Sequence, residues 1–213
     1  MQTDDLIATL AADTAPQARG PLSARLALAC TGAAVVSLVV LLGWLGLRHD
    51  LIEALHTRSF WMKAGYTGWL TIGGFLAVAR LSRPGGRLGV AAWMLAAGVV
   101  TMLGMGSMRL VQAPMPQRMG DLMGHSWDLC PFRIIVFGIP VFLALVWFLR
   151  RLAPTRLALA GAGAGLLAGA LGATVYGLAC TETAAAFVAV WYTLGIGACA
   201  GIGALLGPRL LRW

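Results

Sequence analysis

The run Pro131-Phe-Arg-Ile-Ile-Val-Phe-Gly-Ile-Pro-Val-Phe-Leu-Ala-Leu-Val-Trp-Phe-Leu149 carries a single charge, Arg133, and is closed by Arg150 and Arg151. Its length is close to the ~20 apolar residues that an α-helix needs to cross ~30 Å of hydrocarbon. Similar runs lie on either side of it. They are Leu26 to Leu47, about Phe60 to Val78, about Leu88 to Met108, about Leu157 to Leu178 and about Ala184 to Leu206. Composition agrees, with 59% of the 213 residues hydrophobic, 11% charged and a mean hydropathy of +0.82. Soluble domains carry about 25% charged residues, so a soluble fold is excluded. The expected class is all-α: a polytopic membrane protein with six transmembrane helices. Residues 1–25 read as a polar tail and residues 26–213 as the six-helix domain.

Orientation follows from the basic residues. One set of segments holds Arg19, Arg25, Arg80, Arg83, Arg87, Arg150, Arg151, Arg156, Arg209 and Arg212, ten cations against three acids. The alternate set holds Arg48, Arg58, Lys63, Arg109, Arg118 and Arg133, six cations against five acids. The first set is expected to be cytoplasmic, with both termini inside. The net charge of +8 is therefore a topological signal, and no direct nucleic-acid binding is expected. The outer segments Arg48 to Ser59 and Arg109 to Cys130 are too short for folded domains. They read as interfacial caps, with Trp61, Tyr66 and Trp127 at headgroup level.

The tail does not read as a signal peptide, because Asp4, Asp5 and Asp13 interrupt it and it has no apolar core. Thr3 can cap a short helix running to Ala12, with Asp4 and Asp5 at its positive end. Leu6, Ile7 and Leu10 fall on one face of that helix, and Asp13-Thr-Ala-Pro16 ends it. A helix of this length is marginal alone in water, so its apolar face calls for a partner.

Small residues mark where the spans approach each other. Gly161, Gly165 and Gly169 recur every fourth residue in the fifth span, with Gly163 and Gly172 beside them. Gly197 and Gly201 repeat the spacing in the sixth. Pro140 is expected to kink the fourth span, and Gly207-Pro208 to stop the sixth.

Two short clusters break the apolar text. One is Gly124-His-Ser-Trp-Asp-Leu-Cys130, next to Pro131; the other is Cys180-Thr-Glu182. Both fall on the outer side, at the mouths of consecutive spans. Cys130 lies at a helix start, where the positive end of the dipole favours a thiolate. Three readings of Cys130 and Cys180 stay open here: a permanent disulfide, two unrelated thiols, or a pair switched by metal or oxidant. His125, Asp128 and Glu182 are candidate auxiliary contacts for a soft ion or oxidant. So are Met115, Met119 and Met123, four residues apart along one face of a short outer helix. Cys30 and Cys199 fall within spans and read as packing residues. No Ser-His-Asp arrangement, nucleotide-binding loop or buried acid is legible, which argues against an enzyme or a proton pump.

The N-terminal Met-Gln-Thr-Asp-Asp-Leu-Ile-Ala-Thr-Leu-Ala-Ala-Asp13, the six-span layout and the two cysteine segments together resemble the NrsF-like family. These are negative regulators of sigma F, a sigma factor of the extracytoplasmic-function (ECF) type. The resemblance covers nearly the whole chain. It implies a multi-pass anti-sigma factor of the bacterial inner membrane. Such a protein would hold an ECF sigma factor at the cytoplasmic face and release it when Cys130 and Cys180 meet a heavy metal or oxidant. No resident cofactor is implied, only a transient heavy-metal ion. The face formed by Asp4, Asp5, Leu6, Ile7 and Leu10 suits a partner with basic surfaces. The competing class is a small soft-metal permease or exporter, copper-like in its use of Met and Cys ligands.

Overall fold

The computed structural model describes Asp5 and residues 21–83, 85–152 and 154–212. Among these residues the chain is helical and holds no strand. The helices are α1 (Leu22–Trp44), α2 (Leu51–Ala54), α3 (Arg58–Leu81), α4 (Val90–Gln112), α5 (Met115–Met123), α6 (Cys130–Arg150), α7 (Leu157–Tyr176) and α8 (Ala185–Leu210). The expected Thr3–Ala12 helix lies outside the described residues, and with it Asp4, Leu6, Ile7 and Leu10; Asp5 is described and exposed.

Five helices, α1, α4, α6, α7 and α8, are long and apolar enough to cross a membrane. Helix α3 stands where another span is expected and is as long, at 24 residues. It is less apolar than the five, with Lys63, Thr67 and Thr71 in its interior. The first two of these are buried. Both threonines return their hydroxyls to backbone carbonyls one turn back, Thr67 to Lys63 O at 3.2 Å and Thr71 to Thr67 O at 2.8 Å.

Helix α7 is the pillar, packed against α3, α6 and α8. Its glycines explain how. A methyl group on Gly161 or Gly165 would run into the backbone of α8 at Gly203 and Cys199. On Gly169 it would sit 2.9 Å from Cys199 Cβ, and on Gly172 it would meet Gly138 of α6 at 2.7 Å. Backbone-to-backbone approach of this kind is how helices associate where lipid removes the hydrophobic drive. Gly163 faces α3 instead, over Leu81 and Val78. The expected partners on α8 are different, however. Gly197 and Gly201 face open space, and Cys199, Gly203 and Gly207 form the seam.

Two local departures concern prolines and turn width. Helix α8 does not stop at Pro208 but runs to Leu210, whose carbonyl accepts from Arg150 Nε at 2.5 Å. Pro208 costs one intrahelical bond, the donor to the Ala204 carbonyl, and the helix continues past it for two residues. Near its start, α8 contains a wider π turn at Val188–Tyr192. Helix α6 continues unbroken through Pro140.

The two ends of the bundle differ in charge. Arg80, Arg87, Arg150, Arg156 and Arg209 flank the connections at one end. Those connections are tied together: Gly85 N donates to Thr155 Oγ1 at 3.3 Å, and Arg150 reaches Leu210. The other end carries the connections between α1 and α3, between α4 and α6, and between α7 and α8. Both candidate cysteines are there.

Candidate functional site

At the cysteine end, two connections are locked together by one carboxylate. Gly124 closes α5 with φ of 55°, a left-handed conformation that favours glycine. A side chain there would also strike Glu182 Oε2 at 2.6 Å. Freed of that obstacle, Glu182 Oε1 accepts from His125 N at 2.7 Å and from Ser126 Oγ at 3.3 Å. The His125 ring lies out in solvent, with Nδ1 3.9 Å from the same oxygen. Trp191 Nε1 donates to Leu122 O at 2.9 Å and its ring lies 5.4 Å from that of Trp127. The segments around Cys130 and Cys180 are thus held by shared contacts, as their sequence neighbourhoods suggest.

Cys130 is the first residue of α6, with Pro131 in the first turn as expected. Its surroundings are not the solvent-open ones in which reactive thiols are found. Its side chain is wholly buried, and that of Cys180 is 3% exposed. Both belong to one apolar core with Phe137, Tyr176, Phe187 and Tyr192, and each lies within electrostatic range of the other. All four cysteines are free thiols here. A sensing reaction at this pair therefore needs the cap above it to open. Cys30 and Cys199 are packed within the helices, Cys199 against Gly169 of α7.

One participant was not legible in the sequence. Lys63 groups there with the outer connections, yet it lies inside α3 and is 3% exposed. Its Nζ donates to Cys180 O at 3.1 Å and sits 5.7 Å from the centre of the Tyr192 ring. The same carbonyl accepts from Arg48 Nη1 at 3.3 Å. Arg48 is in turn gripped by both carboxylate oxygens of Asp50, at 2.7 and 2.6 Å. That guanidinium hydrogen bond holds the Asp50 carboxyl down to about 2. Tyr192 Oη is enclosed beside Cys180. Arg133 Nη1 reaches Tyr176 Oη at 3.5 Å. The signal for Lys63 was its place in the chain: it is the one lysine, five residues inside α3.

The remaining candidates are not gathered at the thiols. Asp128 is exposed, and so are Met115 and Met119 on α5, a helix with no buried residue. Met123 is partly covered. Among the described residues, no three His, Cys, Asp or Glu side chains are placed to hold a metal ion together. Tyr66, expected at headgroup level, is turned inward and shares a 2.6 Å hydrogen bond with Thr193 Oγ1 of α8. Trp61 and Trp127 do stand exposed at this end.

A family described as negative regulator of sigma F matches residues 10–213 of this chain. The chain belongs to the NrsF family. It is 44% identical over 215 residues to the anti-sigma-F factor NrsF of Caulobacter vibrioides (strain NA1000 / CB15N), with all of both chains covered. It is 41% identical over 216 residues to the probable anti-sigma-F factor NrsF of Azospira oryzae (strain ATCC BAA-33 / DSM 13638 / PS), again with full coverage of both. No solved structure matches. NrsF is a regulatory rather than an enzymatic family, and the apolar helices of this member are those of a membrane protein.

Proposed function

We propose that this NrsF-family protein is an anti-sigma factor of the bacterial inner membrane that sequesters a sigma factor of the sigma F, extracytoplasmic-function type. In this reading six helices span the bilayer, α3 among them, and both termini are cytoplasmic. The arginine-bearing end faces the cytoplasm. The sigma factor docks on the tail face formed by Asp4, Asp5, Leu6, Ile7 and Leu10, whose acids suit a basic partner. Cys130 and Cys180 respond to a thiophilic metal ion or an oxidant from the opposite side.

One observation carries the sensing part. The two thiols share an enclosed core at the head of the α7 seam, and that seam continues to the arginine end through Gly169, Gly165 and Gly161. Any reaction that changes the volume or spacing of Cys130 and Cys180 must move the start of α6 or the end of α7. A seam of backbone contacts has little slack to absorb such a shift. A tenfold fall in sigma-factor affinity needs only about 1.4 kcal/mol between two arrangements.

The test is co-purification of the intact protein from membranes in mild detergent. The sigma factor is expected with the wild-type chain and not after removal of residues 3–12. Diamide, which takes two electrons and two protons from a pair of thiols, is expected to lower recovery about tenfold. Cys130→Ser and Cys180→Ser are each expected to abolish that release. Release that persists in both variants overturns the sensing role. Failure of the wild-type chain to retain any sigma factor overturns the sequestering role.

A further inference from the structure

Helices α3, α4 and α5 and the start of α8 do not close upon one another. A cavity of about 1050 Å³ lies between them, at the upper end of the ~300–1,000 Å³ usual for small-molecule sites. Its mouth opens at the cysteine end, where Arg58, Arg109 and Asp121 line it. Its deep end is formed by Trp69, packed against Gly98, where a methyl group would meet the indole at 2.6 Å. Met102 and Met105 supply apolar wall between the two levels.

The dimensions and charges of this cavity are those of a lipid. From Arg58 to Trp69 along α3, and from Gly98 to Arg109 along α4, the helix rise is ~16 Å at 1.5 Å per residue. One leaflet contributes half of the ~30 Å hydrocarbon core, or ~15 Å. The cavity therefore has apolar walls over the depth of one leaflet and guanidinium groups at the level of the head groups. Among the described residues, neither arginine side chain makes a hydrogen bond or an ion pair. Two arginines and one aspartate line it there, which leaves one net positive charge at the mouth. The lining itself is open on one side, with Trp61 61% and Met105 45% exposed, so a chain can enter sideways. Arginine forks match phosphate oxygens, and basic pockets between membrane helices suit anionic head groups.

We propose that this cavity is a binding site for one anionic phospholipid. The phosphate sits between Arg58 and Arg109, and an acyl chain lies along Met102 and Met105 down to Trp69. The single net charge selects a lipid of charge minus one, such as phosphatidylglycerol, over a zwitterionic one. The hydroxyls of the glycerol head group have Asp121 as acceptor. This site is separate from the cysteine core and independent of the sigma-factor reading.

Native mass spectrometry of the full chain, delipidated in detergent and then offered equal amounts of phosphatidylglycerol and phosphatidylethanolamine, tests the site. One phosphatidylglycerol per chain is expected, in at least tenfold excess over phosphatidylethanolamine. Arg58→Gln with Arg109→Gln is expected to erase that preference. Gly65→Leu keeps both arginines and projects into open space within the cavity; it is expected to lower retention of either lipid about tenfold. Equal retention of the two lipids by the wild-type chain overturns the proposal. So does a preference that survives in the double variant, displacement of the lipid by millimolar inorganic phosphate, or a second copy of the chain that fills the groove and excludes lipid.

Discussion

Helices α7 and α4 have comparable length and apolarity, and the bundle uses them in opposite ways. Of their apolar stretches, 67% of α7 is buried inside the protein against 17% of α4. In α7 the glycines bring backbones into contact with α6 and α8, and side chains play little part. In α4 one glycine of three leaves room: nothing stands within 4 Å of a methyl group on Gly104, whereas Gly98 is tight against the Trp69 side chain and Gly106 against Ala189 of α8. Mean hydropathy cannot separate these two helices. What separates them is whether the small residues of one helix meet backbone on the next.

The largest effect is expected along the α7 seam. Gly165→Ala places a methyl group against the Cys199 carbonyl, with no flexible side chain to yield. A loss of about 3 kcal/mol in unfolding free energy is expected, at the upper end for overpacked cores. Gly197→Ala, in the same spacing motif of α8 but facing open space, is expected to stay within about 0.5 kcal/mol of wild type. Reversible unfolding in mixed micelles reads both, and equal losses would dissolve the contrast between the helices.

A smaller effect is expected at Lys63. Lys63→Met removes one donor to Cys180 O while Arg48 still donates, so about 1 kcal/mol is expected. Combined with Arg48→Met, the carbonyl loses both donors, and the double variant is expected to lose more than the sum of the single changes. Strict additivity in the same unfolding assay would mean that the two cations do not share the load.

The smallest effect is a pH dependence at the surface. Arg48 holds the Asp50 carboxyl down to about 2, below its unfolded value of about 3.9. A depressed carboxyl stabilises the fold fully above the unfolded value, and this contribution falls away as pH drops toward 2. Asp50 is exposed although the Arg48 side chain is largely covered, so the term is screened by solvent on the carboxylate side. Asp50→Asn is expected to flatten the drop in melting temperature between pH 5 and pH 3, which thermal scans across that window check.

Much of the fold was legible because hydrophobic runs near 20 residues have few alternatives in a bilayer. The expected spans and the observed helices overlap along most of their length, and their ends differ by a few residues, as with Leu26–Leu47 against Leu22–Trp44. Gly161, Gly165 and Gly169 were legible too, because close approach has a fixed spacing. Facing was not. Gly197 and Gly201 share that spacing but lie on the wrong side of α8, and only packing reveals it. Tyr66 reads as interfacial by type, yet its hydroxyl finds Thr193, which is far away in the chain. Lys63 counts as a loop cation in a one-dimensional tally of charge. Its burial depends on the Cys180 carbonyl arriving from another connection to satisfy it. The two cysteine segments lie side by side, but the enclosure of their thiols comes from Phe187 and Tyr192 of α8, which neither segment contains.

The wide turn at Val188–Tyr192 acts as a phase shifter. Up to its first residues, Ala185, Ala186 and Ala189 abut Gly106 of α4; after it, Gly195 abuts Pro131 and Ile134 of α6, and Gly203 abuts Gly161 of α7. One residue of α-helix is about 100° of rotation, so a uniform helix could satisfy only one of these two sets of neighbours. Deleting a single residue from the turn would leave the composition and hydropathy of α8 nearly unchanged. It would nonetheless rotate the whole α7 seam out of alignment with the cap over the cysteines.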